Sequence, residues 1–423
     1  MPAQDVLVIG LGYVGLPVAV QAARAGFRVT GYDTRAEITA GLMAGRSHVD
    51  DVTDAEVGGM LGRGFAATTD EAEIGPQDVI VICVPTPLSV ADGPDLSAVR
   101  AATATAGRLV RQGTLVSLES TTYPGTTEQV LLPLLEAGGL RCGRDFLVAY
   151  SPERIDPGNR KFGLHNVPRI VGGVSQEATD AAAAFYDTFV ESVHVVSSCR
   201  AAELAKLLEN TFRMVNIALV NELAQLCAEQ GIDTWEVIEA ASTKPFGFMP
   251  FYPGPGVGGH CIPLDPAYLT WQSRRDTGRP YRLVETAMDI NQAMPEYIVT
   301  RIGEALNERG RALRGARILC LGVTYKADVG DLRESAAVAV VERLHRKGAD
   351  VRFHDPFVDR LELGGTARRR VGLTSAAVAA SDCVALLTPH ESYDLDWLLG
   401  KSELIFDARN ALAGRRRSGV VVL

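Results

Sequence analysis

No stretch of this 423-residue sequence is apolar for the roughly 20 residues that a membrane-spanning helix needs. The N-terminus, MPAQDVLVIGLGYVG, lacks the basic start and removable apolar core of a secretory leader. A strand and turn are expected there instead, and with them a cytoplasmic protein without a membrane partner. Positive charge is not in excess either. The formal net charge is −9, which argues against nucleic acid as a partner. An anionic ligand would have to be held by local basic groups. Cysteine is sparse and scattered: the seven, Cys83, Cys142, Cys199, Cys227, Cys261, Cys320 and Cys383, include no pair at zinc-ligand spacing, and their number is odd. Most have apolar neighbours, as buried small hydrophobes do. His260 adjoins Cys261, but no further ligand lies near in sequence, so no metal site is expected. Low-complexity segments and tandem repeats are absent too.

At this length two or three domains are expected. Apolar strands alternate with helices through the first part: DVLVIG, FRVTGYD, DVIVICVP, GTLVSLES and DFLVAYSP. One helix begins at Pro17, another lies around Asp180 to Phe189, and the strand SVHVVS follows. That alternation implies an α/β fold with a parallel, doubly wound sheet. Ser197 or Ser198 caps a long helix reaching about Gln230, where Gly231 stops it. Leu204, Leu208, Val215, Leu219, Leu223 and Leu226 recur along it at helical spacing. Such length suits a spine joining two domains. A helical pattern resumes from Leu283. ARILCLGVTY then opens a second, smaller Rossmann-like unit, with a helix over about Ser335 to Lys347 and strands DVRFHDP, CVALLT and ELIFDA. It lacks a three-glycine turn, since VTYKADVGD follows Gly322. The expected division is 1–198, 199–312 and 313–423, two Rossmann-like domains joined by a long central helix and a helical middle. The ARRR run at 367–370 is expected on solvated surface.

Gly10, Gly12 and Gly15 form G-x-G-x-x-G between a strand and a helix. The glycines permit a tight turn and let a pyrophosphate approach the helix N-terminus. Asp33 ends the next strand, where a carboxylate bonds ribose hydroxyls and repels a 2′-phosphate. That favours NAD, and the nearby Arg35 weakens the preference slightly. The most informative segment is GPGVGGHCIPLDPAYL, Gly254 to Leu269. Its glycines let the backbone come close to a ligand. It displays Cys261, a candidate nucleophile, with Asp265 four residues on. A dinucleotide takes hydride and a thiol captures an aldehyde, so the pair suggests oxidation through to an acid.

Other positions have two readings. Thr86 and Thr121 follow apolar strands at the edge where ligands bind, in segments whose Pro, Ser and Thr content also suits plain turns. Lys206, Asn210 and Arg213 share one helix face, within about 60° of one another. Such a stripe is solvated or, on a domain-joining helix, lines a cleft. Tyr325, Lys326 and Arg333 occupy the first turn of the second Rossmann-like unit, as phosphate contacts or as surface salt bridges.

GLGYVGLP, VPTP, ESTTYPGTT, SPERIDPGN, ELAKLLENTFRMVNIALVNELA, GPGVGGHCIPLDP and GVTYKADVGDLRES, in that order, resemble the nucleoside-diphosphate-sugar 6-dehydrogenase family over nearly the whole chain. SPERIDPGN and TKPFGFMPFYPGPGVGGHCIPLDPAYLTW are most similar to its UDP-N-acetylglucosamine 6-dehydrogenases. UDP-glucose dehydrogenases typically carry phenylalanine where Arg154 stands. Ala336 stands where the family often has proline. The resemblance implies an N-terminal domain for NAD, a C-terminal domain for UDP and a homodimer through the helical middle. It implies cofactor contacts from Tyr13, Val14, Asp33, Thr86, Thr121 and Arg333. Substrate contacts would come from Arg154, Ile155, Lys206, Asn210, Arg213, Gly258, Tyr325 and Lys326.

The chemistry implied is oxidation of C6 of a UDP-sugar twice, with two NAD consumed. Lys206, or a water held by Asp265, would take the C6 hydroxyl proton. Cys261 would add to the aldehyde, while Lys206 and Asn210 stabilise the oxyanion. Water activated by Asp265 or Glu153 would hydrolyse the resulting thioester. The expected substrate is UDP-N-acetylglucosamine, with UDP-glucose and UDP-N-acetylmannosamine as alternatives. A one-step NAD-linked alcohol dehydrogenase would not need the thiol. A non-catalytic nucleotide-binding protein would leave Cys261 unreactive.

Overall fold

The computed structural model describes residues 4–89, 93–156, 159, 161–259, 262–415 and 417–423. His260 and Cys261 therefore lie outside the described residues. The chain divides into two compact units, Met1–Glu209 and Asn210–Leu423.

The first unit is built on eight strands: β1 (Asp5–Ile9), β2 (Arg28–Tyr32), β3 (Ala66–Thr68), β4 (Val79–Ile82), β5 (Leu115–Leu118), β6 (Leu147–Tyr150), β7 (Arg169–Gly173) and β8 (Val193–Val195). Their order is β3-β2-β1-β4-β5-β6-β7-β8. Every pairing is parallel except β6 with β7, which is antiparallel. The expected parallel sheet is thus a mixed one. The segment PRIVGG, not expected as a strand, supplies the reversal. The first residue of β7, Arg169, is buried and ion-paired with Glu119, which follows β5. The central strands VLVI and VIVI are apolar on both faces because helices cover both. Val6, Val8 and Val81 join Leu16, Val18, Phe185 and Tyr186 in one core.

The second unit carries a parallel sheet in the order β10-β9-β13-β14-β15. Its strands are β9 (Arg317–Leu321), β10 (Asp350–His354), β13 (Cys383–Leu386), β14 (Ile405–Asp407) and β15 (Val420–Val422). Between β10 and β13 a hairpin pairs β11 (Arg360–Leu363) with β12 (Thr366–Arg369). The arginine run is therefore a strand, and its side chains are exposed. The helix Arg282–Asn307 contributes Met294, Ile298 and Ile302 to the core behind β9.

The spine helix, Cys199–Gln230, spans 32 residues and ends at Gly231, whose φ is +67°. Leu204, Leu208, Leu219 and Leu226 are exposed, whereas Glu203, Lys206, Asn210 and Asn221 are buried. Periodicity identifies residues that share a face, but not which face is covered. Here Glu203, Lys206, Asn210 and Asn221 each have a partner.

Candidate active site

Order reverses at β1 in the first sheet and at β9 in the second, and ligands of open α/β sheets bind at such points. After β1, Gly10 takes φ +90°, and a Cβ there would strike the carbonyl of Cys83. Gly15 begins the following helix against the carbonyl of Gly10. Gly12 is different: nothing lies within 4 Å of where its Cβ would be. Two glycines are thus demanded by the protein's own packing, and the third leaves room beside the helix N-terminus that Val14 precedes. Tyr13 and Val14 are half-buried there, against the core. Asp33 accepts from the backbone N–H groups of Leu11 (3.0 Å) and Arg35 (3.0 Å). The exposed Arg35 guanidinium lies 3.4 Å away. These residues fit a dinucleotide, with Gly12 at the pyrophosphate and Asp33 at a ribose. Thr86 and Thr121 follow β4 and β5, both half-buried.

After β6 comes Ser151-Pro152-Glu153. Glu153 is buried, and Lys206 Nζ donates to its backbone carbonyl at 2.5 Å and lies 3.7 Å from its carboxylate. Burial pushes the Glu153 carboxyl above its ordinary pKa, against the pull of Lys206 and Arg169, and Glu119 adds to the rise. Its Oε1 accepts no hydrogen bond among the described residues. Arg169 donates to Ser151 Oγ at 2.8 Å, and Tyr186 donates to Glu119 at 2.8 Å. A buried row of alternating charge, Glu119, Arg169, Glu153 and Lys206, therefore underlies the strand ends. Arg154 pairs with Glu209 at 2.6 Å and donates to the Pro168 carbonyl at 2.6 Å. Ile155 is half-buried against the core.

In the second unit Asn210 donates to Asp265 at 2.5 Å, and both are buried. Asp265 begins the helix Asp265–Thr277, where a carboxylate complements the helix dipole. The loop before it is held by a buried amide chain. Asn221 accepts from Gly254 N–H at 2.9 Å and donates to Asn291 at 2.9 Å. Gly258 and Gly259 lie against the Tyr325 side chain with no room for a Cβ, and Gly259 N–H donates to the Arg333 carbonyl at 3.2 Å. Arg333 is exposed and paired with Asp331 at 2.6 Å. Lys326 is half-buried, while Arg213 is exposed.

Gly322 occupies in this sheet the place of Gly10 in the first. Its φ is +76°, and its N–H bonds the end of the neighbouring strand at His354, as that of Gly10 bonds Tyr32. Asp355, the counterpart of Asp33, accepts from Val323 N–H at 2.8 Å. Here, however, buried His390 lies 3.0 Å from its carboxylate and occupies it. The second unit has the frame of a dinucleotide turn but not the opening.

Sequence reasoning missed Glu119, Arg169, Glu203, Asn221, Asn291 and Arg409. The last follows β14. Arg409 is half-buried against Gly254, and its guanidinium has no hydrogen-bond or ion-pair partner among the described residues. Desolvation lowers its pKa to about 10, so it stays charged at neutral pH. Among the described residues no group of three His, Cys, Asp or Glu could hold a metal, and no helix is long and apolar enough to cross a membrane.

A buried lysine and carboxylate beside a dinucleotide turn can move a proton while hydride leaves, which is the chemistry of a pyridine-nucleotide dehydrogenase. The sequence matches the NAD binding domain of the UDP-glucose/GDP-mannose dehydrogenase family over residues 4–190, its central domain over 200–293 and its UDP binding domain over 319–414. The chain belongs to that family, and is an NAD-dependent UDP-sugar dehydrogenase. It is 38% identical over 418 residues to UDP-N-acetyl-D-mannosamine dehydrogenase of Pyrococcus horikoshii, covering 96% of each chain. It is 35% identical over 393 residues to UDP-N-acetyl-D-glucosamine 6-dehydrogenase of Pseudomonas aeruginosa, covering 92% of this chain and 91% of the relative. A solved UDP-D-ManNAc dehydrogenase structure from Pyrococcus horikoshii superposes with TM-score 0.89, over 99% of this chain and 98% of the other.

Proposed function

We propose that this enzyme oxidises C6 of a UDP-N-acetylhexosamine twice, from alcohol to carboxylate, and that the sugar is UDP-N-acetylglucosamine. The observation that carries the covalent route concerns the other thiols. Cys83, Cys199, Cys227, Cys320 and Cys383 are buried, and burial pushes the thiols of Cys83, Cys199, Cys320 and Cys383 well up. Half-exposed Cys142 is raised by burial too. None of these five raised thiols is a ready thiolate. The nucleophile is then Cys261, on its glycine-rich loop.

Bound NAD would supply the hydride acceptor for C6 in each of two rounds. Gly10, Gly12, Tyr13, Val14, Gly15, Asp33, Arg35, Thr86, Thr121 and Arg333 are assigned to holding it. Lys206, steadied by the Glu153 carbonyl, takes the hydroxyl proton directly or through a water held by Asp265. The Cys261 thiolate adds to the aldehyde carbon, forming a C–S bond and an oxyanion. Lys206 and Asn210 donate to that oxyanion. After the second oxidation C6 is a thioester. Water attacks it, the C–S bond breaks, and the thiolate is released. Glu153 is suited to take that water's proton, since one of its oxygens has no donor and burial favours its protonated form.

Residues 1–198 are assigned to NAD, 199–312 to the helical middle with Cys261, and 313–423 to UDP. Arg154, Ile155, Arg213, Gly258, Tyr325 and Lys326 are assigned to the UDP-sugar, and Arg409 is added as a diphosphate contact. The chain is assigned to a homodimer through the helical middle. What supports this is an apolar surface of Phe212, Leu219 and Leu226 with Phe246, Met249 and Tyr252, all exposed in the single chain. Light scattering should give about twice the 45.2 kDa chain mass.

The SPERIDPGN segment and the aromatic KPFGFMPFYPGP loop support the N-acetylated sugar, as does the Pseudomonas relative. The mannosamine epimer is a second reading, favoured by the Pyrococcus relative. Turnover of a panel of UDP-hexoses with NAD, with product mass, tests both. Efficiency should be highest on UDP-N-acetylglucosamine. Equal efficiency on UDP-glucose would refute the N-acetyl assignment.

A further inference from the structure

We propose that Glu203 is a positioning residue whose carboxylate clamps the turn after Thr121 to the spine helix, so that the loop assigned to NAD and the helix turn bearing Lys206 hold one register. The geometry is specific. Glu203 is fully buried and accepts three hydrogen bonds from that turn: Gly125 N–H at 2.5 Å, Thr127 N–H at 2.9 Å and Thr127 Oγ–H at 2.7 Å. Gly125 has φ +99°, a conformation that aims its N–H at the carboxylate and that other residues rarely adopt. Glu203 and Lys206 are three residues apart, so they are neighbours on one helix face. Thr121 lies four residues before Gly125 on the clamped segment. One side chain therefore fixes the distance between a residue assigned to the cofactor and one assigned to proton transfer. The inference rests on those two assignments.

The clamp has a built-in pH dependence. Burial lifts the Glu203 pKa to about 7, although the donors from Thr127 and Gly125 pull it down. The titratable and charged groups facing it are Glu128, on the clamped turn, which raises it further, and Cys199, on its own helix. Glu128 is itself paired with Arg200 at 2.9 Å. The sign for stability follows from the raised value. Folding favours the protonated carboxyl, so that contribution is full below the ordinary value of 4.5 and is lost as pH rises through about 7. The sign for activity is opposite. Protonation replaces an acceptor with an O–H donor facing three other donors, which loosens the clamp. Activity should therefore fall as pH drops below about 7.

The test is the pH profile of turnover in Glu203→Gln and Thr127→Val. Glu203→Gln cannot titrate. It should lose about tenfold or more in kcat at pH 8, since small misplacement of reacting groups is costly. The acid limb near pH 7 should vanish. Thr127→Val keeps shape but removes one donor to the charged form, and should move that limb up by roughly one pH unit. Circular dichroism checks folding, and if Glu203→Gln fails to fold, the Thr127→Val limb alone decides. A wild-type limb in either variant overturns the clamp. A fully active Lys206→Ala would instead overturn the site assignment beneath it.

Discussion

Arg409 carries a charge that no described residue answers. A half-buried guanidinium of this kind costs stability in the free protein, and an anion beside it would recover that cost. The diphosphate of the substrate is the anion at hand. Arg409→Met should therefore raise KM for the UDP-sugar by about 10- to 100-fold, as a charge-assisted hydrogen bond of roughly 1.5–3 kcal/mol would. It should not lower the melting temperature. Initial-rate kinetics and calorimetry check the two halves. An unchanged KM would remove Arg409 from the site. Nothing in the sequence marks this residue: FDARNAL reads as a strand followed by a turn. The same holds for Glu119 and Arg169, whose pairing depends on which strands become neighbours.

At the scale of elements, the cysteine loop owes its place to two buried amides. Asn221 on the spine helix accepts from the Gly254 N–H and is itself held by Asn291 on the helix Arg282–Asn307. Asn221→Ala leaves the Gly254 N–H without its acceptor and the Asn291 Oδ1 without its donor, while Asn291 still donates to the Met214 carbonyl; the cost is about 1–3 kcal/mol for a buried group. Activity should fall more steeply than stability, because the loop carries Cys261, the proposed nucleophile. Parallel urea unfolding and kcat measurements test this, and full activity in a destabilised variant would contradict it. Element positions were largely readable: DVLVIG, DVIVICVP and the long helix with its glycine stop all lie where apolar runs and caps put them. Short β3 and the antiparallel β7 were not, since AAT and RIVGG lack a distinctive pattern. Which face of the spine helix is covered is not legible in its spacing. Leu204, Leu208, Leu219 and Leu226 are exposed in the chain alone, while Glu203, Lys206, Asn210 and Asn221 are buried beside Leu207, Met214 and Ala218, because each of the four polar groups finds a partner there.

At the scale of the whole molecule, two Rossmann-like sheets share one frame and differ in what fills it. Gly12 stands open in the first, while His390 closes on Asp355 in the second. That division matches a chain with one NAD binding domain and one UDP binding domain. The central claim is that its chemistry is a four-electron oxidation through Cys261. The most direct measurement is the number of NADH formed per sugar product, with the product identified by mass. The account predicts two NADH per UDP-uronate in the native enzyme. In Cys261→Ser, steady-state acid formation should fall on the order of a thousandfold or more, as when a catalytic nucleophile is removed. One NADH per molecule with an aldehyde product, or undiminished acid formation by Cys261→Ser, would contradict it.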